Sequence, residues 1–300
     1  MLENDADSIK RAGDIAKSIE IPPQPGIVIK VNEEVRQADP DLKKLTDLVN
    51  KDVALAAKAL KIVNSSFFGL RQPAKSISQA ISLLGLNNFS RIVVASSLEE
   101  SLNFKGLDKE AMARFWRHSL LVASVSDLIA RKVYSSSPTP AEFKHLLDHA
   151  YTLGLFHDCA IPLMMRKFSD YSDCIPTALA GIWSAQQSEV HSEEMKYGAS
   201  HCTIGYIVAK SWRLDPDICE CIKHHHDHHI GDHDDLNKRR LLANLLLAEC
   251  TVEILTEGNS SEIEDNLSAL PEELIFELDL GKDDIANIRE KISAIVDEPD

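Results

Sequence analysis

Three hundred residues, 44% of them hydrophobic, suffice for one large or two small domains with sizeable cores and exclude a wholly disordered chain. Acidic residues outnumber basic ones 47 to 32, for a formal charge of −15, and such a surface repels phosphate backbones and anionic lipid, so neither nucleic acid nor a membrane is expected as a partner. The opening MLENDADSIKRAG has no apolar run of a secretory signal, and the most apolar late stretch, residues 241–255, is broken by Asn244 and Glu249 and is too short for a bilayer; the reading is a soluble, cytoplasmic protein whose six cysteines, lacking CxxC spacing, are reduced thiols.

Helical spacing recurs along the chain and strand-like alternation is absent, so the expected fold class is all-α. Residues 1–20 read as a polar helix or a frayed tail. Ile21-Pro22-Pro23-Gln24-Pro25 is an extended opener, because each proline drives its predecessor out of the α region. A helix is predicted over about 26–35, then the turn Ala38-Asp39-Pro40, with Asp41 as cap of a helix whose stripe is Leu45, Leu48 and Val49. Asp52 starts the next, which buries Leu55, Ala59 and Val63 and leaves Lys51, Lys58 and Lys61 wet. Asn64-Ser65-Ser66-Phe67-Phe68-Gly69-Leu70 reads as a helix exit anchored by its two phenylalanines. Further helices are expected over about 76–84 and 87–103, parted at Gly85, and from Asp108 to about 133. A loop at 135–140 precedes helices over about 141–158 and 199–212. Asp215-Pro216 opens the next helix, and a polar loop at 224–235 leads into an apolar one over 239–255. Asn259-Ser260-Ser261 is a break, and the tail forms two short helices, the last with Ile285, Ile288, Ile292 and Ile295 on one face.

Four places carry metal-ligand chemistry. His118 shares a helical face with Phe115, Val122, Val125 and Ile129. His157-Asp158 ends an apolar run. His201 lies one turn before Gly205, and His225-His226 closes the helix of Ile218 and Ile222. Imidazoles and a carboxylate converging from several helices are what a divalent cation in a bundle core requires. Each element alone is ordinary: a lone core-facing histidine is usually structural, and the tract 224–233 reads equally as a solvated loop. The ordered series is far more specific.

That order resembles the HD-type metal phosphohydrolases, and the N-terminal half narrows the resemblance to the HD-related output domain (HDOD) group. The matching residues are Ile21-Pro22-Pro23-Gln24-Pro25, Asp52-Val53-Ala54-Leu55, Asn64-Ser65-Ser66-Phe67-Phe68-Gly69, Ala80-Ile81-Ser82-Leu83-Leu84-Gly85, Trp116-Arg117-His118, Gly154-Leu155-Phe156-His157-Asp158, Tyr197-Gly198, His201, Gly205, Trp212 and His225-His226. The resemblance implies a two-lobed helical HDOD fold: a tail at 1–20, an N-terminal lobe at 21–106, an HD-like lobe at 107–258 and a helical tail at 259–300. It implies an output or scaffold module in bacterial signalling, with signalling proteins as partners, a nucleotide as a possible ligand, and either a divalent metal (iron, manganese, nickel or zinc) or none. By motif, His118, His157 and Asp158 match the first ligands of an HD site, and His201, His225 and His226 match positions that hold a second metal in two-metal relatives. The family's final aspartate falls at Ala243-Asn244, so Asn244 replaces a charged ligand with an amide. Active relatives often read His-Asp-Ile-Gly-Lys, whereas this chain reads His157-Asp158-Cys159-Ala160-Ile161 followed by Pro162, without the phosphate-facing lysine. The expected function is therefore a non-catalytic signalling module; the alternative is a metal-dependent phosphohydrolase acting on a nucleotide or cyclic dinucleotide. A helix-turn-helix at 76–97 is disfavoured because that stretch offers only Arg91 as a base.

Overall fold

In the computed structural model, residues 5–35, 37, 39–64, 70, 72–171, 186–227, 230–257 and 270–296 are described, and among them the secondary structure is helical, without a strand. The chain divides into two units. One runs from Pro22 to Asn103; the other joins the N-terminal residues up to Ile21 to Phe104–Val296.

Helix α1 (Asp5–Ile19) precedes the prolines, and α2 (Gly26–Val35), α3 (Leu42–Asn50), α4 (Val53–Val63), α5 (Ile77–Leu84) and α6 (Leu86–Leu102) make up the first unit. Side-chain caps start three of them. Asp41 accepts from Lys43 and Lys44 N–H, Asp52 from Leu55 N–H and Ser76 from Gln79 N–H, each satisfying donors that a first turn leaves open. The stripe Leu55, Ala59 and Val63 is buried with Val31, Leu45, Val49, Phe89 and Val93 in one apolar cluster. Gly85, at φ 79°, turns α5 into α6 in a conformation open to glycine. Asn64 clips the chain after α4: its amide donates to Ala74 O at 3.0 Å and accepts from Ala74 N at 2.6 Å. Lys58 is a correction to the expected wet face, since it is half-buried and paired with Glu99 at 2.6 Å.

The second unit is built on α7 (Lys109–Ser136), capped by Asp108, and α8 (Lys144–Phe156), which follows a 3₁₀ turn at Pro140–Phe143. Helix α9 (Ile161–Lys167), α10 (Gln186–Tyr197), α11 (His201–Ser211), α12 (Pro216–His224), α13 (Leu236–Glu257), α14 (Glu272–Glu277) and α15 (Lys282–Val296) complete it. Helix α13 packs on α7, α8 and α12; α15 packs on α7, and α1 on α9 and α11. The terminal helices are thus part of this unit, with Ala12, Ala16, Ile19, Leu274 and Ile288 buried. Helices α9 and α10 are additions to the sequence reading. Pro162 opens α9 in its first turn, where a missing N–H costs nothing. The predicted turn at Ala38, the anchors Phe67 and Phe68, the break at Asn259-Ser260-Ser261 and the side chains of Ile292 and Ile295 lie outside the described residues.

Gly154 sets the spacing of α7 and α8. A Cβ there would stand 2.8 Å from Ala123 Cα and 3.0 Å from both Ala123 N and Ser126 Oγ, so the tightest contact is with the α7 backbone, which cannot turn aside as the Ser126 hydroxyl can. Gly154→Ala is therefore expected to destabilise the protein by about 3 kcal/mol, the range for an overpacked core. The check is a lower urea midpoint at unchanged slope.

Candidate metal centre

The histidines are delivered by helix ends, and the ends orient them. His157 follows the last residue of α8, and its Nδ1 lies 2.7 Å from Gly154 O; His225 follows α12, with Nδ1 2.6 Å from Ile222 O. A carbonyl only accepts, so each Nδ1 carries the proton and each Nε2 faces inward. Ser200 caps α11 and places His201 at its first position. There Glu193, from α10, accepts both the His201 backbone N–H and Nδ1–H at 2.8 Å, and it also accepts the Tyr171 hydroxyl at 2.6 Å. His201 Nε2 is thereby aimed at the same interior, 3.0 Å from His226 Nε2.

Asp158 stands among these rings. Its Oδ2 lies 3.2 Å from His157 Nε2, and its Oδ1 lies 3.5 Å from His201 Nε2 and 3.4 Å from His225 Nε2. Glu249, from α13, reaches the other side of His157, with Oε1 3.3 Å from Nε2. His118 completes the group from α7, its ring 5.5 Å from that of His157. Cys202 adds a thiol 3.5 Å from His201 Nε2. His157, Asp158, His201, His225, His226 and Glu249 are all buried, and His118 is half-buried.

The structure therefore brings His118, His157, Asp158, His201, His225 and His226 together. Asn244 instead holds two helices to each other, because its buried amide donates to Ser126 O at 3.2 Å and ties α13 to α7. The carboxylate that α13 offers to His157 is Glu249. Five residues along a helix amount to about 7.5 Å of rise and some 140° of rotation, so the two positions are not interchangeable. Glu249, Glu193 and Cys202 are absent from the sequence-derived set. Glu249 does leave a trace in the sequence, as a carboxylate on the apolar face of Leu242, Leu245 and Val252; Glu193 and Cys202 leave none.

The electrostatics suit a cation. Burial works to raise the Asp158 carboxyl, but His157 and the neighbouring imidazoles outweigh it and hold it well below the ordinary range. Burial pushes the Glu249 carboxyl up, against the pull of His157. Burial, with His157 beside it, pushes His118 down to about 4, which keeps it neutral and able to ligate. Despite these short approaches, His157 Nε2, His225 Nε2, Asp158 Oδ1, His226 Nδ1 and Glu249 Oε2 have no hydrogen-bond partner. Buried polar atoms left bare are costly, and bare Nε2 and carboxylate oxygens converging on one interior are the lone pairs a divalent ion would take. The donors fall into two groups around Asp158: His118, His157, Asp158 and Glu249 on one side, and His201, Cys202, His225 and His226 on the other. Imidazole with carboxylate suits borderline cations of the iron, manganese, nickel or zinc kind.

Comparison with known proteins places this arrangement. The sequence matches the family described as HDOD domain over residues 21–228. The chain belongs to the HDOD domain family. Among curated relatives, the uncharacterized protein YuxH of Bacillus subtilis is 34% identical over 113 residues, which is 37% of this chain and 26% of YuxH. The chain spans less than half the length of the curated relatives it matches. An HDOD domain protein of unknown function from Geobacter sulfurreducens superposes with a TM-score of 0.67 at 23% identity, covering 96% of this chain and 98% of that one. A candidate phosphohydrolase from Shewanella amazonensis does so at 0.67 and 20% identity, covering 94% and 93%. A candidate signal transduction protein from Marinobacter aquaeolei does so at 0.65 and 18% identity, covering 98% of this chain and 66% of that one. These likenesses establish the HDOD fold.

Glu193 is the test of the buried network. Removing it leaves the Tyr171 hydroxyl and two His201 donors without an acceptor, which costs about 3–5 kcal/mol when a buried charged partner is lost. Glu193→Ala is expected to lose that much stability by thermal or urea denaturation, and Glu193→Gln, which keeps one carbonyl acceptor, distinctly less.

Proposed function

We propose that this HDOD chain is a signal-transduction output module whose HD-like lobe, residues 107–258, is organised around a divalent cation, and that it does not hydrolyse phosphoesters. The cation would be held by His118, His157, Asp158 and Glu249, with His201, His225 and His226 beside it. When bound, such an ion acts as a Lewis acid and cancels the carboxylate charge. The observation that carries the reading is the chemistry around the cluster. Among the described residues no lysine or arginine pairs with Asp158, Glu249 or Glu193, and position 161 is the fully buried Ile161. Phosphoryl transfer needs cations where charge develops, and a single missing electrostatic group costs about 3–4 kcal/mol in other active sites. The work left to the centre is to fix the ends of α8, α11 and α12, and so to shape a surface for a signalling protein or a nucleotide ligand.

The alternative, a metal-dependent phosphohydrolase acting on a nucleotide or cyclic dinucleotide, draws support from one observation. Glu249 supplies the second carboxylate that Asn244 does not.

Protein purified without a histidine tag is expected to retain divalent metal by elemental analysis, and His157→Ala and Asp158→Ala to carry one equivalent less. With manganese, iron or nickel added, nucleotides, cyclic dinucleotides and an aryl phosphate are expected to remain intact. Metal-dependent turnover that vanishes in both variants would establish the enzyme instead.

A further inference from the structure

A second group of donors lies away from the central cluster, at the other end of α8. His145 and His149 are one turn apart on the same face, with ring centroids 4.4 Å apart. The start of α12 brings two carboxylates to them. His145 Nε2 is 3.1 Å from Asp217 Oδ2, and His149 Nε2 is 3.9 Å from Asp215 Oδ2. The four side chains are 20–31% exposed, open enough for an ion to arrive and covered enough to hold it.

Each carboxylate divides its oxygens between structure and this group. Asp215 Oδ1 accepts from Asp217 N–H at 3.0 Å and caps α12, while Oδ2 faces His149. Asp217 Oδ1 faces Lys238 at 3.8 Å, while Oδ2 faces His145. His145 Nε2 is buried and makes no hydrogen bond, although Asp217 Oδ2 is within reach. An ion-pair account would need both imidazoles protonated, and two adjacent imidazolium rings repel. A dication attracts both as neutral ligands. Burial, with His145 beside it, holds the His149 pKa down, which favours that neutral form. Tetrahedral zinc with nitrogen and oxygen ligands near 2.0–2.1 Å sets neighbouring ligand atoms about 3.3 Å apart, close to the approach seen at His145 and reached at His149 by a small side-chain rotation.

We propose that His145, His149 and Asp215, whose donor atoms lie within 4.8 Å of one another, form a second, solvent-accessible site for a borderline divalent cation, zinc foremost, with Asp217 beside His145. His149 and His157 are eight residues apart, about 12 Å along a helix axis, so the two centres are separate. The outer cation would clip the start of α8 to the start of α12, the two helices whose far ends deliver His157 and His225.

The test is zinc titration of the untagged, metal-stripped full chain against a chromophoric chelator, with crystals of the same protein measured at the zinc edge. Wild type is expected to bind one more zinc than His145→Ala/His149→Ala, and Asp215→Asn, which keeps an oxygen to cap α12, to weaken that zinc at least tenfold while leaving the fold unchanged by circular dichroism. His157→Ala is expected to keep the outer zinc, with an anomalous peak between α8 and α12. Equal stoichiometry and affinity in wild type and the double variant would overturn the proposal. So would loss of the surface zinc only in His224→Ala/His233→Ala, which would move it to the loop after α12.

Discussion

Asp158 is a carboxylate at 1% exposure, and a charge so far from water has to be matched by groups of opposite sign or by a cation. What surrounds it are imidazoles arriving from three helix ends: His157 after α8, His201 at the head of α11 and His225 after α12. Each of those ends is consequently fixed relative to the others. The unsatisfied groups of the termini do the orienting. Carbonyls at the C-terminal ends take the Nδ1 protons of His157 and His225, and the Glu193 carboxylate takes the open N–H at the start of α11. Capping and ligand placement are thus one set of hydrogen bonds.

The close approach of α7 and α8 serves the same constraint. Gly154 lets Ala123 lie against the α8 backbone, and its carbonyl is the acceptor that sets the His157 ring. A side chain at 154 would move α7, which carries His118, away from the end of α8. Gly205 has a related place on α11, where a Cβ would meet Ile222 Cγ2 at 3.0 Å, so the helix that starts with His201 packs tightly on α12, which His225 follows. Two glycines and three helix ends hold the ring geometry, and the apolar core around them keeps it dry.

Much of this was legible in the sequence because it is local. Asp41, Asp52, Asp108 and Asp215 announce helix starts through short side chains that reach their own first turn, and Leu55, Ala59 and Val63 announce a buried face through period alone. The HDOD resemblance and the helical class followed from the same local signals. Glu193 was not legible, because an ordinary glutamate in a polar segment becomes a ligand orienter only when α10 folds against α11. Asn244 was misplaced for a different reason. Matching a motif counts residues, whereas facing a site depends on helical rotation, and on α13 the inward face carries Glu249. The useful sign was chemical: Glu249 shares its helical face with Leu242, Leu245 and Val252, and a carboxylate so placed must find a buried partner, whereas an amide need not.

That displacement changes the electrostatic argument about activity. With Asn244 as the last donor, the cluster would have had one carboxylate next to His157 and His118, too little charge to keep a hard or borderline cation in place. With Glu249 there, Asp158 and Glu249 together match one dication, and His118, which burial keeps neutral, adds a lone pair without adding charge. Holding a cation and acting on a phosphoester then become separate questions. The first depends on donors, and the cluster has them. The second depends on positive charge beyond the metal, on the side where a substrate would lie. Ile161 contributes none, because an alkyl side chain neither neutralises an oxyanion nor donates to it. A centre rich in ligands and, among the described residues, without a lysine or arginine paired to its carboxylates is suited to hold helices in register, and that balance is what supports the proposed output-module reading.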